Sequence, residues 1–233
     1  MPVYAQEDTA LHNKELATVV KIEGKARILP KDSIKKHKAA AGEKLFPGDR
    51  IISYRGTKVI IRLTDGSDLI MDEASELLFV DVDRLRQDVG EVYYKIKKRV
   101  ASKGLKVETS LSIIGIKGTE FIVDLRDEGK IALNEGFIGI ESLHAKFELH
   151  KEKVMQEYER YKQEQMDGFE AFKAEAEKEV VSYVKAFDLH AGRVLSFSKP
   201  ERCEEECSSY VSEQTFSSET KERFEYYKAI LRR

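Results

Sequence analysis

Two closely spaced glycines are the first residues in this sequence whose spacing could indicate chemistry. Gly115 and Gly118 lie in the stretch SIIGIKGTEFIVDL. Glycines at such spacing can cradle phosphate, but a dinucleotide-binding fingerprint has three glycines between a strand and a helix. Here only two occur, and the residues from Thr119 through Phe121 open an alternating strand pattern. We therefore interpret the glycines as a bulge or crossing of strands where another segment approaches closely.

Histidines are the next candidates for chemistry. The five histidines form neither a His-x-His pair nor a His-Glu-x-x-His motif. His144, His150 and His190 flank a predicted helix and could approach one another at its base, which would allow a metal site. Solvated or hydrogen-bonded histidines are the interpretation that we favour, and we predict no metal site.

The two cysteines occur close together, in the stretch CEEEC. Cys203 and Cys207 supply only two thiolates, which is an incomplete zinc site. The sequence has no C-x-x-C-H haem signature. If the chain is exported, a local disulfide between these cysteines is the natural expectation. The Cα atoms of the two cysteines would have to lie within about 7 Å of each other, which a turn can provide.

No pattern indicates catalysis or a bound cofactor. The sequence contains no Gly-x-Ser-x-Gly elbow and no cysteine in a basic, His-paired setting. Its carboxylates are abundant, but none stands in an apolar context that would raise its pKa. We predict a protein that is not an enzyme. An envelope polysaccharide-acting or polysaccharide-binding protein is an alternative, and catalysis would require two carboxylates at glycosidase spacing.

Overall charge gives no indication of a nucleic-acid or membrane partner. The sequence has 40 Lys and Arg residues against 42 Asp and Glu residues, and its formal net charge is −2. Such balance offers no electrostatic argument for binding nucleic acid or an anionic membrane. No apolar run approaches the length of a membrane span.

The first residues indicate export. Val3, Tyr4 and Ala5 fit the small-x-small rule of a signal peptidase site, with cleavage after Ala5. We expect a chain that is periplasmic or otherwise exported, in which the front of the signal peptide precedes the sequence given. An ordinary frayed start is the alternative.

Residues 16–143 are predicted to be β. The stretches VIIRL, VYYKI and EFIVDL each alternate, with Val59, Ile61 and Leu63 sharing one face of the first of them. Turn residues separate these short runs every eight to twelve residues or so, which is typical of a sandwich, barrel or β-roll. No helix-length segment separates the strands, which argues against a parallel α/β sheet.

Residues 146–185 have a helical composition. Apolar residues recur there at steps of three or four, or their sums, from Val154 to Val184. The segment is predicted to be one long helix, kinked at Gly168, or else a helical hairpin turning at Asp167-Gly168. Its aromatic stripe is expected to dock a protein partner or a second copy of the chain, or else to pack on the core. The stripe consists of Tyr158, Tyr161, Phe169 and Phe172.

Strands return after the helical segment, and the chain ends in a short helix. The stretch AFDLHAGRVLSF alternates on both sides of Ala191-Gly192. The last helix is predicted to begin at Ser217 or Ser218. Its inward residues are Phe224, Tyr227, Ile230 and Leu231. The fold class is thus mainly β, an antiparallel β-sandwich or β-roll with an inserted helix and a short C-terminal helix. The predicted divisions are 1–15, an N-terminal segment; 16–145, the β domain; 146–185, the insertion; 186–199, returning strands; and 200–233, the Cys-containing segment and helix.

Several of these stretches, in this order, resemble a FecR-type domain, the periplasmic sensor domain named after the regulator of ferric citrate transport. The resemblance covers roughly residues 16–198, interrupted by the insertion. It rests on Gly48-Asp49, Asp65-Gly66-Ser67, Gly90-Glu91-Val92, Val107-Glu108-Thr109, Gly115 through Phe121, Glu135-Gly136 and Ala191-Gly192. It implies an all-β, extracytoplasmic domain that binds or signals without catalysis. Gly115, Gly118, Thr119 and Phe121 are then its fold-signature motif.

The resemblance is compatible with two interpretations of the function of this chain. The first is a free-standing exported binding or scaffold module whose inserted helix docks a partner in the cell envelope or a second copy. The second is the periplasmic sensor part of a sigma-factor or transport regulator, which would have a membrane span and a cytoplasmic tail upstream. Neither reading requires a cofactor.

Overall fold

Two large β-sheets pack face to face and enclose the main hydrophobic core. The computed structural model describes residues 14–98, 104–127, 129–143, 146–151, 180–198 and 210–232. These residues form twenty strands and one α-helix. One sheet has eleven strands and the other has nine. The prediction of a mainly β fold is therefore confirmed.

The strands are short, as expected for a chain with frequent turns. In chain order they are β1 Ala17–Glu23, β2 Ala26–Leu29, β3 His37–Lys38, β4 Lys44–Leu45, β5 Arg50–Ser53, β6 Lys58–Leu63, β7 Asp68–Met71, β8 Glu76–Asp81, β9 Arg84–Val89, β10 Glu91–Lys95, β11 Leu105–Glu108, β12 Ser112–Ile116, β13 Glu120–Asp124, β14 Lys130–Glu135, β15 Phe137–Ser142, β16 Phe147–Lys151, β17 Val180–Val184, β18 Ala186–His190, β19 Arg193–Ser198 and β20 Tyr210–Thr215.

Neighbouring strands in the two sheets are mostly, but not wholly, antiparallel. The eleven-stranded sheet has the order β17-β16-β20-β19-β14-β13-β10-β7-β6-β1-β4, and the nine-stranded sheet has the order β18-β15-β12-β11-β9-β8-β5-β2-β3. Strand β11 pairs parallel with β9, and β16 pairs parallel with β20. The expectation of a purely antiparallel fold is thus corrected, because these pairs are joined by long connections and not by hairpin turns.

Alternation along the strands directs side chains into the core, as the sequence predicts. Val59, Ile61 and Leu63 of β6 belong to the core between the sheets. Ile60 lies on the opposite face of the same strand, where it is also buried. A second cluster therefore covers the outer face of the eleven-stranded sheet. It contains Ile60, Ile70, Tyr93, Ile122, Ala132, Phe224 and Tyr227.

The C-terminal helix provides the cover for that outer face. Helix α1 spans Ser218–Leu231, and its N-cap residue Ser217 accepts a hydrogen bond from the backbone N–H of Thr220 at 3.1 Å. Phe224 and Tyr227 are buried against the sheet, and Ile230 and Leu231 pack at the margin of the cluster. The predicted start and the predicted inward face of this helix are both confirmed.

The predicted helix over 146–185 is wrong at both of its ends. Strands β16 and β17 occupy those ends and pair antiparallel, from Phe147 opposite Val184 to Lys151 opposite Val180. A spacing of four residues, as between Val180 and Val184, fits both a helix and an alternating strand, so periodicity alone misled the prediction. Phe147 and Leu149 are buried, whereas Glu148 between them is only partly buried, which is strand behaviour. Residues 152–179, including the predicted turn at Asp167-Gly168, lie outside the described part.

Candidate functional site

The segment between Gly115 and Phe121 carries the chain from one sheet to the other. Strand β12 belongs to the nine-stranded sheet, and β13 belongs to the eleven-stranded sheet. Gly118 lies between them with φ +70°, a conformation that favours glycine. A Cβ atom there would lie 2.7 Å from the Cα atom of Lys98. Gly115 pairs across the strands with Gly139. The structure thus places a close backbone approach at this segment.

The other two signature residues are buried in the same region. The ring of Phe121 stacks on the ring of Tyr94, with 4.7 Å between their centroids. Thr119 is buried, and its hydroxyl has no hydrogen-bond partner among the described residues. The buried positions of these two residues are consistent with a role in the fold and do not present them to a ligand.

Most of the other residues predicted to carry function fall outside the described residues. These are the aromatic residues Tyr158, Tyr161, Phe169 and Phe172, the cysteines Cys203 and Cys207, and His144. His190 is exposed at the end of β18, opposite Phe137. Among the described residues, no group of three or more His, Cys, Asp or Glu side chains could hold a metal ion.

A network of charged residues lies between helix α1 and the outer face of the eleven-stranded sheet. At its centre, Glu91 of β10 is directly opposite Asp124 of β13. Like charges placed opposite each other on neighbouring strands destabilise a sheet unless cations neutralise them. The Glu91 side chain is only 1% exposed, so its negative charge requires close partners.

Two arginines neutralise this carboxylate pair. Arg126 donates from its guanidinium to both Glu91 and Asp124, and its Nε lies 2.9 Å from Asp124 Oδ1. Its hydrogen bond to Asp124 raises the pKa of Arg126 above the ordinary value. Arg223 of α1 reaches the same pair, and its Nη2 lies 3.2 Å from Asp124 Oδ2. One cation therefore comes from the sheet and one from the helix.

Tyr227 adds a second link from the helix to the same carboxylates. Its hydroxyl donates to Glu91 Oε1 at 2.6 Å and lies 3.2 Å from Asp72 Oδ2. Burial raises the pKa of Tyr227, so the hydroxyl keeps its proton as a donor. Lys58 binds the other oxygen of Asp72 at 3.0 Å. Burial by itself lowers the pKa of Lys58, but the hydrogen bonds to Asp72 and Tyr226, together with the charge of Asp72, raise that pKa overall.

A parallel contact joins the helix to Glu120 of β13. Tyr93 donates its hydroxyl proton to Glu120 Oε1 at 2.9 Å, and Asn134 donates to Glu120 Oε2 at 3.2 Å. Lys228 of α1 lies 3.7 Å from the same carboxylate. Burial by itself lowers the pKa of Lys228, whereas its hydrogen bond to Glu225 and the charge of Glu120 raise it overall.

The arrangement of these groups holds the helix to the sheet. Glu91, Asp124, Asp72 and Glu120 each contact at least one cation or hydroxyl group. Sequence reasoning missed this network. The available signal was the apolar residues at the outward positions of β6, β7, β10 and β13, which require a cover.

The strands at the two ends of the insertion form a stem at one edge of the eleven-stranded sheet. Strand β17 is the edge strand, and β16 lies between β17 and β20. Phe147 of β16 anchors this stem in the core, where its ring contacts Phe187 at 5.7 Å and Phe197 at 6.0 Å between centroids. The described residues thus bring the two ends of segment 152–179 side by side.

Helix α1 is too short and too polar to cross a membrane, so no helix among the described residues is a candidate membrane span.

The fold and this site define a β-sandwich protein with a helix-covered outer face. Residues 49–138 match the protein family described as FecR protein, and this stretch is therefore a FecR-type domain. The match confirms the resemblance found in the sequence and lies inside the interval from 16 to 198. No curated protein matches the chain.

Two solved structures are partly similar to this chain. Both are crystal structures of a candidate anti-sigma factor from Parabacteroides distasonis, with 11% sequence identity to this chain. Their TM-scores are 0.47 and 0.46, and each comparison covers 73% of this chain and 61% of the solved chain. This chain thus spans less than two thirds of the length of those chains.

Proposed function

We propose that this protein is a non-catalytic, extracytoplasmic FecR-type module that binds a protein partner in the cell envelope, or a second copy of itself. The FecR-type domain over residues 49–138 supports a signalling or regulatory role. The docking element is the segment 152–179, with its aromatic residues Tyr158, Tyr161, Phe169 and Phe172.

The observation that carries this proposal is the pairing of β16 with β17. Five register pairs join the two strands, from Phe147 with Val184 to Lys151 with Val180. The stem is anchored in the sandwich, and the segment that it supports begins and ends at one sheet edge. An element supported in this way can differ from the rest of the domain without disturbing the core, as binding segments on rigid scaffolds commonly do.

A second role, the periplasmic sensor part of a sigma-factor or transport regulator, is favoured by the same FecR match. The two roles differ in what precedes the chain. A membrane span with a cytoplasmic tail upstream supports the sensor, whereas a cleaved signal peptide supports the free-standing module. N-terminal sequencing of the protein purified from its own envelope distinguishes them, and cleavage after Ala5 is the result expected for the module.

Replacement of the supported segment tests the docking role. In the variant, an Asn-Gly turn joins Lys151 to Val180 and replaces residues 152–179, because two-residue turns of this type close antiparallel strands. We expect the variant to fold with an unchanged thermal midpoint. If the variant unfolds instead, the segment is part of the core and the docking role is wrong.

Photo-crosslinking in the source envelope then measures the contact itself. A photoreactive residue at position 161 should give one discrete adduct, with a partner protein or with a second copy. The same residue at position 221, on the exposed side of α1, is the matched control and should give none. Light scattering separates the two kinds of adduct, because a second copy doubles the mass. Equal labelling at both positions contradicts the proposal.

A further inference from the structure

Positive charge is concentrated in one short part of this chain. Residues 21–38 contain seven Lys and Arg residues against two Asp and Glu residues, which gives a net charge of +5. The whole chain has a net charge of −2, so the remaining residues carry −7. The overall balance therefore conceals a basic region, which runs from the end of β1 through β2 and the following loop to β3.

The fold arranges four of these cations along one groove. Arg27 of β2 is directly opposite Lys38 of β3, and Lys25 and Lys36 precede them by two positions on the same face. These four residues, which we call the basic groove, line an open cavity of about 430 Å³ together with Gly24 and Ala26. Like charges opposite each other on paired strands repel, so an anion between them would stabilise this edge.

The arginines of β5 and β9 in the same sheet are neutralised by carboxylates, whereas the cations of the basic groove are not. Arg50 binds Asp88 at 2.7 Å and also pairs with Glu76. In the described part of the chain, none of the basic groove residues forms an ion pair with a carboxylate. The adjacent carboxylate of Glu43 is already bound by His37 at 2.6 Å. The groove therefore presents unneutralised positive charge.

The loop beside the groove holds an isoleucine out in solvent. Ile34 is 96% exposed, which is far more than any other large apolar side chain among the described residues. The loop is fixed by hydrogen bonds. Lys31 donates its backbone N–H to Asp49 at 3.2 Å, and Ser33 Oγ accepts from the backbone N–H of Lys35 at 3.1 Å. An ordered loop thus presents one aliphatic group among lysines.

We propose that this edge of the protein binds the surface of an anionic lipid membrane. The basic groove contacts the headgroup phosphates, and Ile34 enters the boundary between headgroups and acyl chains. Peripheral proteins bind anionic membranes by this combination of basic side chains and a few inserted apolar ones.

Two features favour a membrane over an acidic polypeptide as the occupant. Strand β3 is only two residues long, so its free edge offers few backbone groups to an added peptide strand. Ile34 also projects alone, without the aromatic neighbours that usually form the centre of a protein interface. A lipid surface requires neither a long strand edge nor aromatic neighbours around Ile34, because its apolar layer lies directly beneath its charged layer.

The basic groove and the insertion stem, which is formed by β16 and β17, lie at opposite ends of the sandwich. Strands β3 and β4 are the last strands of their sheets at one end, and β17 and β18 are the last strands at the other end. The membrane site is therefore separate from the docking segment. The variant in which an Asn-Gly turn replaces residues 152–179 should bind membranes like the full chain, so the two proposals can fail independently.

Vesicle co-sedimentation tests this inference. The full chain should bind vesicles of phosphatidylcholine with phosphatidylglycerol and should not bind vesicles of phosphatidylcholine alone. Binding should weaken steeply with added salt. Lys36→Glu with Lys38→Glu should reduce binding at least 25-fold, since each lysine near an anionic surface contributes about five-fold. The matched control is Lys106→Glu with Lys130→Glu, which changes the charge equally elsewhere and should have a smaller effect.

Ile34 provides the second arm of the test. Ile34→Ser should weaken vesicle binding about ten-fold, since it removes the inserted apolar group. Phe137→Ser changes an apolar residue that is 50% exposed and lies outside the basic groove, and it should leave vesicle binding unchanged. Failure of the full chain to bind anionic vesicles overturns the proposal. So does vesicle binding that is insensitive to Ile34→Ser and is competed fully by soluble polyglutamate, which would identify an acidic polypeptide as the occupant.

Discussion

Arg223 of helix α1 forms an ion pair with Glu91 of β10, a residue 132 positions earlier in the chain. Glu91 is almost fully buried, and Asp124 lies directly opposite it. The helix therefore supplies part of the positive charge that this pair of carboxylates requires. This relationship makes α1 an integral part of the sandwich and yields the first prediction.

Replacement of Arg223 should destabilise the protein. Arg223→Gln leaves Glu91 with Arg126 and Tyr227 as partners, so we expect a loss of about 2 kcal/mol in the free energy of unfolding. This value is below that for a fully buried pair, because Arg223 is partly exposed and solvent screens its charge. Urea denaturation measures the change.

Lys221→Gln is the matched control for Arg223→Gln. It removes a positive charge from an exposed position of the same helix and should change stability by no more than about 0.5 kcal/mol. Combining Arg223→Gln with Glu91→Gln should cost less than the sum of the two single changes, because each already removes the same interaction. Additive effects would show that the two residues are not coupled.

The aromatic contact of α1 with the sheet gives a second prediction. Phe224 is buried against Tyr93 and Phe216, with ring centroids 6.2 Å and 5.4 Å away. Phe224→Ala should therefore cost about 3–5 kcal/mol of stability, as large-to-small core changes do. Tyr226→Ala is the control, since that side chain is half exposed, and it should cost less than about 1 kcal/mol. Similar midpoints of thermal unfolding for the two variants would contradict the packing described.

Buried tyrosines predict a loss of stability at alkaline pH. Burial raises the pKa values of Tyr93, Tyr94 and Tyr227 above that of an exposed tyrosine. The folded state therefore retains protons that the unfolded state releases above about pH 10. The stability from these groups is present below that pH and is lost as the pH rises further.

Absorbance at 295 nm against pH tests this behaviour. The buried tyrosines should ionise only together with the loss of near-ultraviolet circular dichroism. Ionisation of all tyrosines in one step near pH 10, with the fold intact, would disprove the burial argument.

The crossover at Gly118 gives a fourth prediction. Gly118→Ala adds a Cβ atom to a residue with φ +70° and brings it within 2.7 Å of the backbone of Lys98. Gly192 has φ +82° with open space around it, so Gly192→Ala measures the backbone strain alone. We expect about 1–2 kcal/mol for Gly192→Ala and a clearly larger loss for Gly118→Ala. Equal losses would show that the close approach has no energetic effect.

The cysteines give a fifth prediction, which follows from the proposed extracytoplasmic location. Protein purified from the envelope without reductant should resist alkylation at Cys203 and Cys207, and each thiol should react after reduction. Mass spectrometry of the peptide that contains both cysteines measures this. Immediate alkylation of both cysteines in unreduced protein would contradict the disulfide.

Local patterns in the sequence determined much of the fold. The alternation of Val59, Ile61 and Leu63 predicts their burial between the sheets, because successive strand residues point to opposite faces. Ser217 and the apolar residues from Phe224 onward predict helix α1, because caps and helical periodicity act within a few residues. The ordered turn motifs likewise indicated the FecR-type domain, in agreement with the family match over residues 49–138.

Only the tertiary structure decided the features that depend on distant residues. The segments 147–151 and 180–184 are strands because they pair with each other and the first of them also pairs with β20. A spacing of four residues could not distinguish them from a helix. Glu91 and Arg223 were indistinguishable from solvated surface charges until the helix covered the sheet. Likewise, the pairing of β2 with β3 brings Arg27 opposite Lys38, which concentrates positive charge that the balanced composition conceals. Charge and pairing of this kind depend on distances in space, and a linear sequence does not contain those distances directly.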